Sequence, residues 1–127
     1  MKYRGEELKV GDKFYSELSI RVEFDATSFD EDKIICEIRD VLKKLSLSKH
    51  AYIEQVLDCY ILIRGYNGFE FNTAGINTLK SIYDVLSTIS YFEVFVNITL
   101  ENWFKDGEAE YNNDVVTWSQ FMANLTE

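Results

Sequence analysis

The stretch FYSELSIRVEF, residues 14–24, decides the fold because apolar and polar side chains alternate along it. The apolar set contains Phe14, Leu18, Ile20, Val22 and Phe24, and the polar set contains Glu17, Ser19, Arg21 and Glu23. A repeat of two residues is typical of a strand that buries one of its faces. The stretch therefore predicts a half-buried strand.

A helix is predicted directly after this strand. Its apolar residues recur with helical spacing, and they are Ile34, Ile35, Ile38, Val41, Leu42 and Leu45. Two starts fit the sequence equally well, because Ser28 with Glu31 matches a capping box and Asp30 matches a cap with a hydrophobic staple. We expect the helix to end near Leu47.

The middle of the chain predicts a hairpin. Residues 52–64 form a long, largely apolar strand pattern, and the Asn-Gly pair within residues 65–68 is a strong turn signal. Residues 69–71 would then return as a short strand. Asp58, on the long strand, is either a carboxylate whose pKa is raised by burial or the partner of Arg64 or Arg21 in a structural ion pair, and we prefer the ion pair.

A second helix and a third long strand complete the pattern. The helix is predicted to begin at Asn72 or Thr73, and residues 91–100 alternate like residues 14–24. The order β-α-β-β-α-β is typical of a ferredoxin-like fold, an α+β domain with a four-stranded antiparallel sheet and two helices on one face. Another α+β sandwich is the alternative, because residues 69–71 are short for a central strand.

We interpret residues 1–127 as one domain whose last part, residues 101–127, is an acidic and aromatic extension. Within this extension Asp114 is predicted to cap a final helix. The apolar residues of that helix are Trp118, Phe121, Met122 and Leu125. Such a segment would cover the bare face of the sheet or dock on a partner.

Composition excludes several classes of protein. The chain has 127 residues, 46% hydrophobic residues and a net charge of -9, which argues against disorder and against general binding of nucleic acid. A ferredoxin-like RNA-binding domain stacks bases on outward aromatic side chains of its central strands. The outward residues predicted here are Glu17, Ser19, Arg21, Glu23 and Glu70. The glutamates of this set would repel phosphate and none of its residues is aromatic, so we expect no direct contact with nucleic acid.

The sequence predicts a cytoplasmic protein without a membrane partner. The first residues lack the apolar core of a signal peptide, and no apolar run is long enough to span a membrane. Cys36 and Cys59 lack CxxC spacing, so we expect two free thiols in a reducing compartment. We interpret both as buried structural cysteines.

No catalytic residue, metal or cofactor is predicted. His50 is the single histidine, and we interpret it as an ordinary loop residue. The acidic stretch of residues 106–110 lacks the glycine and glutamate positions of a calcium loop and is interpreted as solvated. Motifs that bind nucleotides or mark hydrolases are missing from the chain.

Charge distribution provides the main functional indication. Residues 101–127 carry six acids and one lysine, whereas residues 1–100 carry 16 acids and 12 bases. Acids steer an encounter with a basic surface, and aromatic side chains anchor it. The predicted contact residues are Trp103, Phe104, Glu108, Glu110, Tyr111 and Asp114. Packing and solubility explain the same composition equally well.

The leading hypothesis is a non-catalytic module that docks on a basic protein surface, such as that of a nucleic-acid-binding enzyme, and inhibits or regulates it. Small acidic inhibitors from conflicts between phages and bacteria, including anti-CRISPR and immunity proteins, have this general character. The alternative is a subunit that forms a homodimer or larger assembly through the sheet face. That face is predicted to contain Tyr60, Leu62, Tyr91 and Phe95. A third hypothesis is a small-molecule sensor or enzyme that uses Asp58 and Tyr60.

Overall fold

The structure, a computed structural model, describes residues 2–4, 6–7, 14–25, 27–69, 72–103 and 109–126. Within these ranges the strands are β1 (Lys2–Tyr3), β2 (Glu6–Glu7), β3 (Phe14–Glu23), β4 (Ala51–Val56), β5 (Tyr60–Phe69), β6 (Glu93–Trp103), β7 (Ala109–Val116) and β8 (Leu125–Thr126). The helices are α1 (Glu31–Lys44), α2 (Thr73–Leu86) and α3 (Trp118–Asn124).

The larger sheet has five antiparallel strands in the order β4-β5-β3-β6-β7. A smaller sheet joins three two-residue strands in the order β2-β1-β8. The predicted α+β class is therefore confirmed. The predicted number of strands is wrong, because residues assigned to the extension form β7 and pair along β6.

The hairpin between β4 and β5 reverses at residues 57–59, not at residues 65–68 as predicted. The Leu57 N–H closes this turn by donating to the Tyr60 carbonyl at 2.9 Å. The predicted long strand is thus two strands, β4 and β5. Of the predicted short strand, Phe69 is the last residue of β5, and residues 70 and 71 lie outside the described residues.

The glycine-containing residues 65–68 interrupt the pairing of β5 with β3 instead of ending the strand. Ser19 pairs with Arg64, yet the adjacent Leu18 pairs with Phe69. The residues between these partners therefore leave the β3 ladder as an irregularity within β5. Glycine favours such departures as well as turns, so composition alone did not distinguish the two.

Local capping explains where α1 and α2 begin. The Asp30 side chain accepts a hydrogen bond from the Asp32 N–H at 2.9 Å, which selects Asp30 over Ser28 as the start of α1. The Asn72 side chain accepts from the Gly75 N–H at 2.8 Å and begins α2. Helix α1 ends at Lys44, and Leu45 is its C-cap. Ser46 then adopts a positive φ of 58°, and the chain turns toward β4.

The core lies between the helices and one face of the larger sheet. Every second residue of the central strands is buried there, and these residues are Leu18, Ile20, Val22, Ile61, Ile63, Val96 and Ile98. The buried helical residues that join the same cluster are Ile34, Ile38, Val41, Leu42, Ile76, Leu79, Ile82, Leu86 and Phe121. The opposite face of the sheet, here called the open face, carries the alternate residues. None of the helices within the described residues is both long and apolar enough to cross a membrane.

Helix α3 packs in the layer of α1 and α2 rather than on the open face. Its Phe121 is fully buried, and its Trp118 ring stacks on Tyr83 of α2 with 5.0 Å between centroids. The cap is Thr117, which forms a capping box with Gln120. The prediction that Asp114 caps this helix is wrong, since Asp114 lies within β7.

Candidate functional site

The open face forms a shallow groove of about 590 Å³. Cross-strand pairing creates it, because Asn97 of β6 lies opposite Ser19 of β3, and Ser19 lies opposite Arg64 of β5. The next row joins Phe95, Arg21 and Leu62 in the same way. Polar, aromatic and aliphatic side chains therefore alternate across the groove.

Buried polar side chains form the floor of this groove. Ser19 and Asn97 are only 5% and 6% exposed, although both belong to the open face. The Asn97 amide donates to the Ser19 hydroxyl at 3.1 Å and to the Thr99 hydroxyl at 3.3 Å, and the Thr99 hydroxyl donates to Asn113 at 2.8 Å. The network links three strands, so the floor is held in one arrangement.

The two arginines of the groove are each held by a carboxylate. Arg21 lies over the Tyr60 ring at 3.7 Å from its centroid and donates to Glu23 at 2.9 Å. Arg64 donates to Glu54 at 2.9 Å. Since both cations have an acidic partner, the groove suits a surface of mixed polarity better than a phosphate backbone.

The open face carries an aromatic side chain on a central strand, contrary to the prediction for the RNA-binding positions. The central strand next to β3 is β5, whose outward residues are Tyr60, Leu62 and Arg64, while Glu70 lies outside the described residues. An aromatic side chain is therefore present on a central strand. Arg21 covers the face of that ring, so Tyr60 is already engaged within the protein.

Most of the predicted partner-binding residues lie on or beside the hairpin of β6 and β7. Trp103 pairs with Ala109, and Tyr111 pairs with Glu101. Glu110 takes the next position along β7, opposite Asn102. Phe104 and Glu108 fall outside the described residues. The pairing thus places Trp103, Glu110 and Tyr111 near one end of the β6–β7 ladder, whereas Asp114 lies further along β7, opposite Ile98.

Asp114 differs from the other predicted contact residues because it is bound within the protein. Its carboxylate lies 3.3 Å from the Arg4 guanidinium and accepts a long hydrogen bond of 3.4 Å from the Tyr3 hydroxyl. Burial raises the pKa of Tyr3, and the adjacent negative charge of Asp114 raises it further. Asp114 therefore joins β7 to the chain just after β1.

Three of the four residues predicted for self-association share the open face. Tyr60, Leu62 and Phe95 are half-buried there. Tyr91 does not join them, because β6 begins only at Glu93. The Tyr91 ring instead stacks on Phe29 with 4.4 Å between centroids, and its hydroxyl donates to Glu37.

The predicted environments of Asp58 and both cysteines are wrong. Asp58 and Cys59 lie exposed in the turn between β4 and β5, and Cys36 is exposed on α1. Arg21 and Arg64, the predicted partners of Asp58, are bound to other carboxylates. His50 lies exposed in the connection before β4, where we expected a loop residue.

The network of Ser19, Asn97, Thr99 and Asn113 was missed by sequence reasoning. A signal was present, since asparagine is depleted in strands and Asn97 lies within the alternating pattern of residues 91–100. Among the described residues, no group of three or more His, Cys, Asp or Glu side chains is arranged to hold a metal ion. Comparisons of the chain with family models, curated proteins and solved structures found no match.

Proposed function

We propose that the chain is a non-catalytic protein-binding module that docks through the β6–β7 hairpin on a basic surface of a nucleic-acid-handling protein and inhibits or regulates it. One observation carries the proposal. Strand β7 is the outermost strand of the larger sheet, so the described parts of the acidic and aromatic segment, residues 101–103 and 109–116, are held by strand pairing at an edge. A paired edge strand can dock without the cost of ordering a loose tail.

The charge of the hairpin supports a basic partner. Residues 101–114 include five acids and one lysine. Arg4 compensates Asp114, which leaves the acids at positions 101, 106, 108 and 110 as the source of steering. Trp103, Phe104 and Tyr111 are the aromatic anchors that such an interface requires.

The arginines of the groove support the view that nucleic acid is not contacted directly. Each is bound to a glutamate of the open face, so neither arginine is available without breaking an ion pair. The two exposed thiols, Cys36 and Cys59, fit the reducing cytoplasm, which we propose as the location. We also propose that β3 to β6 with α1 and α2 form a ferredoxin-like core, a view supported by the order β4-β5-β3-β6.

Capture from nuclease-treated lysate of the native host, at two salt concentrations, tests the proposed function. The bait variant Glu108→Lys with Glu110→Lys reverses two of the four acids at positions 101, 106, 108 and 110 and leaves Asp114 in place. The control variant Asp40→Lys with Asp58→Lys makes the same change of charge at exposed positions elsewhere. We expect the hairpin variant to bind the captured protein at least about tenfold more weakly, because juxtaposed like charges cost several kcal/mol.

The captured protein must itself be basic and must bind nucleic acid, and its activity must fall when the wild-type chain is added. Equal capture by the hairpin variant and the control variant would contradict the proposal. So would retention that is insensitive to salt, since electrostatic association weakens as salt rises.

Self-association through the open face is the second candidate function. The observation that favours it is the position of α3, which packs beside α2 and leaves Tyr60, Leu62 and Phe95 partly exposed on that face. A second copy would cover these side chains by placing its own open face against them.

A further inference from the structure

A second cavity lies between the last turns of α1 and the edge strand β4, away from the hairpin and the open face. Its volume is about 480 Å³. This size falls within the usual range of small-molecule sites. Its position at the edge of the sheet leaves one side open to solvent, so a small ligand can enter without a conformational change.

The inner wall of this crevice is apolar. Leu42 of α1 and Ala51 of β4 are buried, and Ile53 is partly buried against the core. Ala51 is held at this position by its N–H, which donates to the Leu47 carbonyl at 2.8 Å. The small Ala51 side chain leaves the space that a larger residue would fill.

Two cations stand at the rim. Arg39 and Lys43 are one helical turn apart on α1, and both line the crevice with exposed side chains. Like charges at this spacing repel each other, and an anion bound between them would relieve the repulsion.

Neither cation is compensated by an acid among the residues that the structure describes. The ion pairs found there join Arg4, Arg21, Arg64 and Lys80 to their carboxylates. Glu54 of β4 is engaged by Arg64 on the open face. The rim is therefore a local positive region on a chain of net charge -9.

We propose that this crevice binds a small organic anion, a carboxylate or phosphate monoester joined to an apolar group. Arg39 and Lys43 would hold the anionic head, since a guanidinium binds carboxylate and phosphate oxygens through paired donors. Leu42, Ala51 and Ile53 would cover the apolar part, and Ser48 supplies a hydroxyl at the entrance. The site does not depend on the proposed function of the hairpin.

The negative charge of the whole protein does not prevent such binding at physiological salt. Charges separated by more than about 8 Å are largely screened at 0.15 M ionic strength. A bound anion would therefore interact mainly with the two rim cations. The binding experiment is therefore carried out near this ionic strength.

The full chain labelled with ¹⁵N is titrated with sodium hexanoate, phenyl phosphate, 1-hexanol and inorganic phosphate while amide chemical shifts are followed. We expect saturable shifts at Leu42 and at residues 51–53 with hexanoate or phenyl phosphate. Inorganic phosphate and 1-hexanol should each bind at least about tenfold more weakly, because phosphate lacks the apolar group and 1-hexanol lacks the anionic group. The comparison of hexanoate with phenyl phosphate distinguishes the two kinds of head group.

Matched variants separate site binding from general attraction. Arg39→Gln with Lys43→Gln should weaken binding at least about tenfold, since glutamine keeps helix propensity but lacks the charge. The control, Lys33→Gln with Lys44→Gln, removes the same charge from exposed positions of α1 that do not line the crevice. Ser48→Phe should block the entrance with the charges intact.

The proposal is overturned if neither hexanoate nor phenyl phosphate saturates, or if 1-hexanol or inorganic phosphate binds as tightly as the preferred probe. Equal weakening by the control variant would overturn it as well. Circular dichroism and a melting curve for each variant, Ser48→Phe included, distinguish loss of binding from unfolding.

Discussion

At the residue scale, hydrogen bonds to the Asp25 carboxylate stabilise the turn between β3 and α1. The Asp25 carboxylate accepts from the Thr27 N–H at 3.0 Å, from the Thr27 hydroxyl at 2.6 Å and from the Ser28 hydroxyl at 3.2 Å. These bonds favour the ionised form and lower the pKa of Asp25 below its ordinary value of 3.8, the Thr27 hydroxyl making the largest contribution. Ser28, one predicted helix cap, is thereby used in the turn instead.

The lowered pKa of Asp25 predicts a stability change in acid. The ionised Asp25 carboxylate stabilises the folded state, and this contribution to the free energy of unfolding is fully present above pH 3.8. It is lost as the pH falls through the lower pKa of the folded state, because Asp25 binds a proton less readily in the folded protein than in the unfolded chain. Between pH 5 and pH 2, the free energy of unfolding in urea should fall less for Asp25→Asn than for wild type. The control Asp40→Asn should follow the wild-type curve, and identical slopes for all three proteins would contradict the assignment.

At the element scale, α3 shows how a short helix is held by packing rather than by length. Seven residues are too few for a stable isolated helix, yet Phe121 is fully buried and stacks with Tyr3 at 6.0 Å between centroids. Trp118 adds its contact with Tyr83. The helix therefore depends on the core that it helps to complete.

Truncation of Phe121 tests this dependence. We expect Phe121→Ala to lower the free energy of unfolding by about 3–5 kcal/mol, through lost burial and the cavity that remains. Met122, its neighbour, is 45% exposed, so Met122→Ala should change the stability by no more than about 0.5 kcal/mol. Chemical denaturation measures both values, and a similar loss for the two variants would show that α3 is not docked through Phe121.

At the scale of the whole molecule, the sheet has a covered face and an open face, and the second candidate function concerns the open one. Buried asparagine and serine at its centre are satisfied within the protein. The apolar side chains partly or largely exposed there include Leu62, Phe95 and Val115, together with the half-buried Tyr60 under Arg21. Any assembly through this face must therefore use a mixed surface rather than a continuous apolar one.

Sedimentation over a range of concentrations tests that assembly. If the open face self-associates, the wild-type sedimentation coefficient rises with concentration, and Leu62→Lys removes the rise by placing a charge in the interface. Leu57 is 39% exposed in the turn before β5, so Leu57→Lys is a matched control that should behave as wild type. A wild-type monomer at the highest concentration would reject self-association.

Sequence by itself determined the features that depend on neighbours a few positions away. Alternation of apolar residues predicted β3 and most of β6, helical spacing predicted α1 and α2, and Asp30 and Asn72 were among the predicted caps. The partner-binding role of the hairpin and the sheet-assembly alternative remain predictions, because no comparison and no contact tests them. Strand periodicity and capping are local, so the chain specifies them before it folds.

Only the tertiary structure decided which local signals were used. Residues 65–68 had the stronger turn signal, yet pairing of β4 with β5 placed the turn at residues 57–59, and pairing with β3 made residues 65–68 an irregularity in β5. Asp114 had the chemistry of a cap, but pairing of β7 with β6 and the charge of Arg4 placed it in a strand. Register, burial and charge partners arise between residues distant in sequence, and their free energies exceed the small local preferences that a sequence displays.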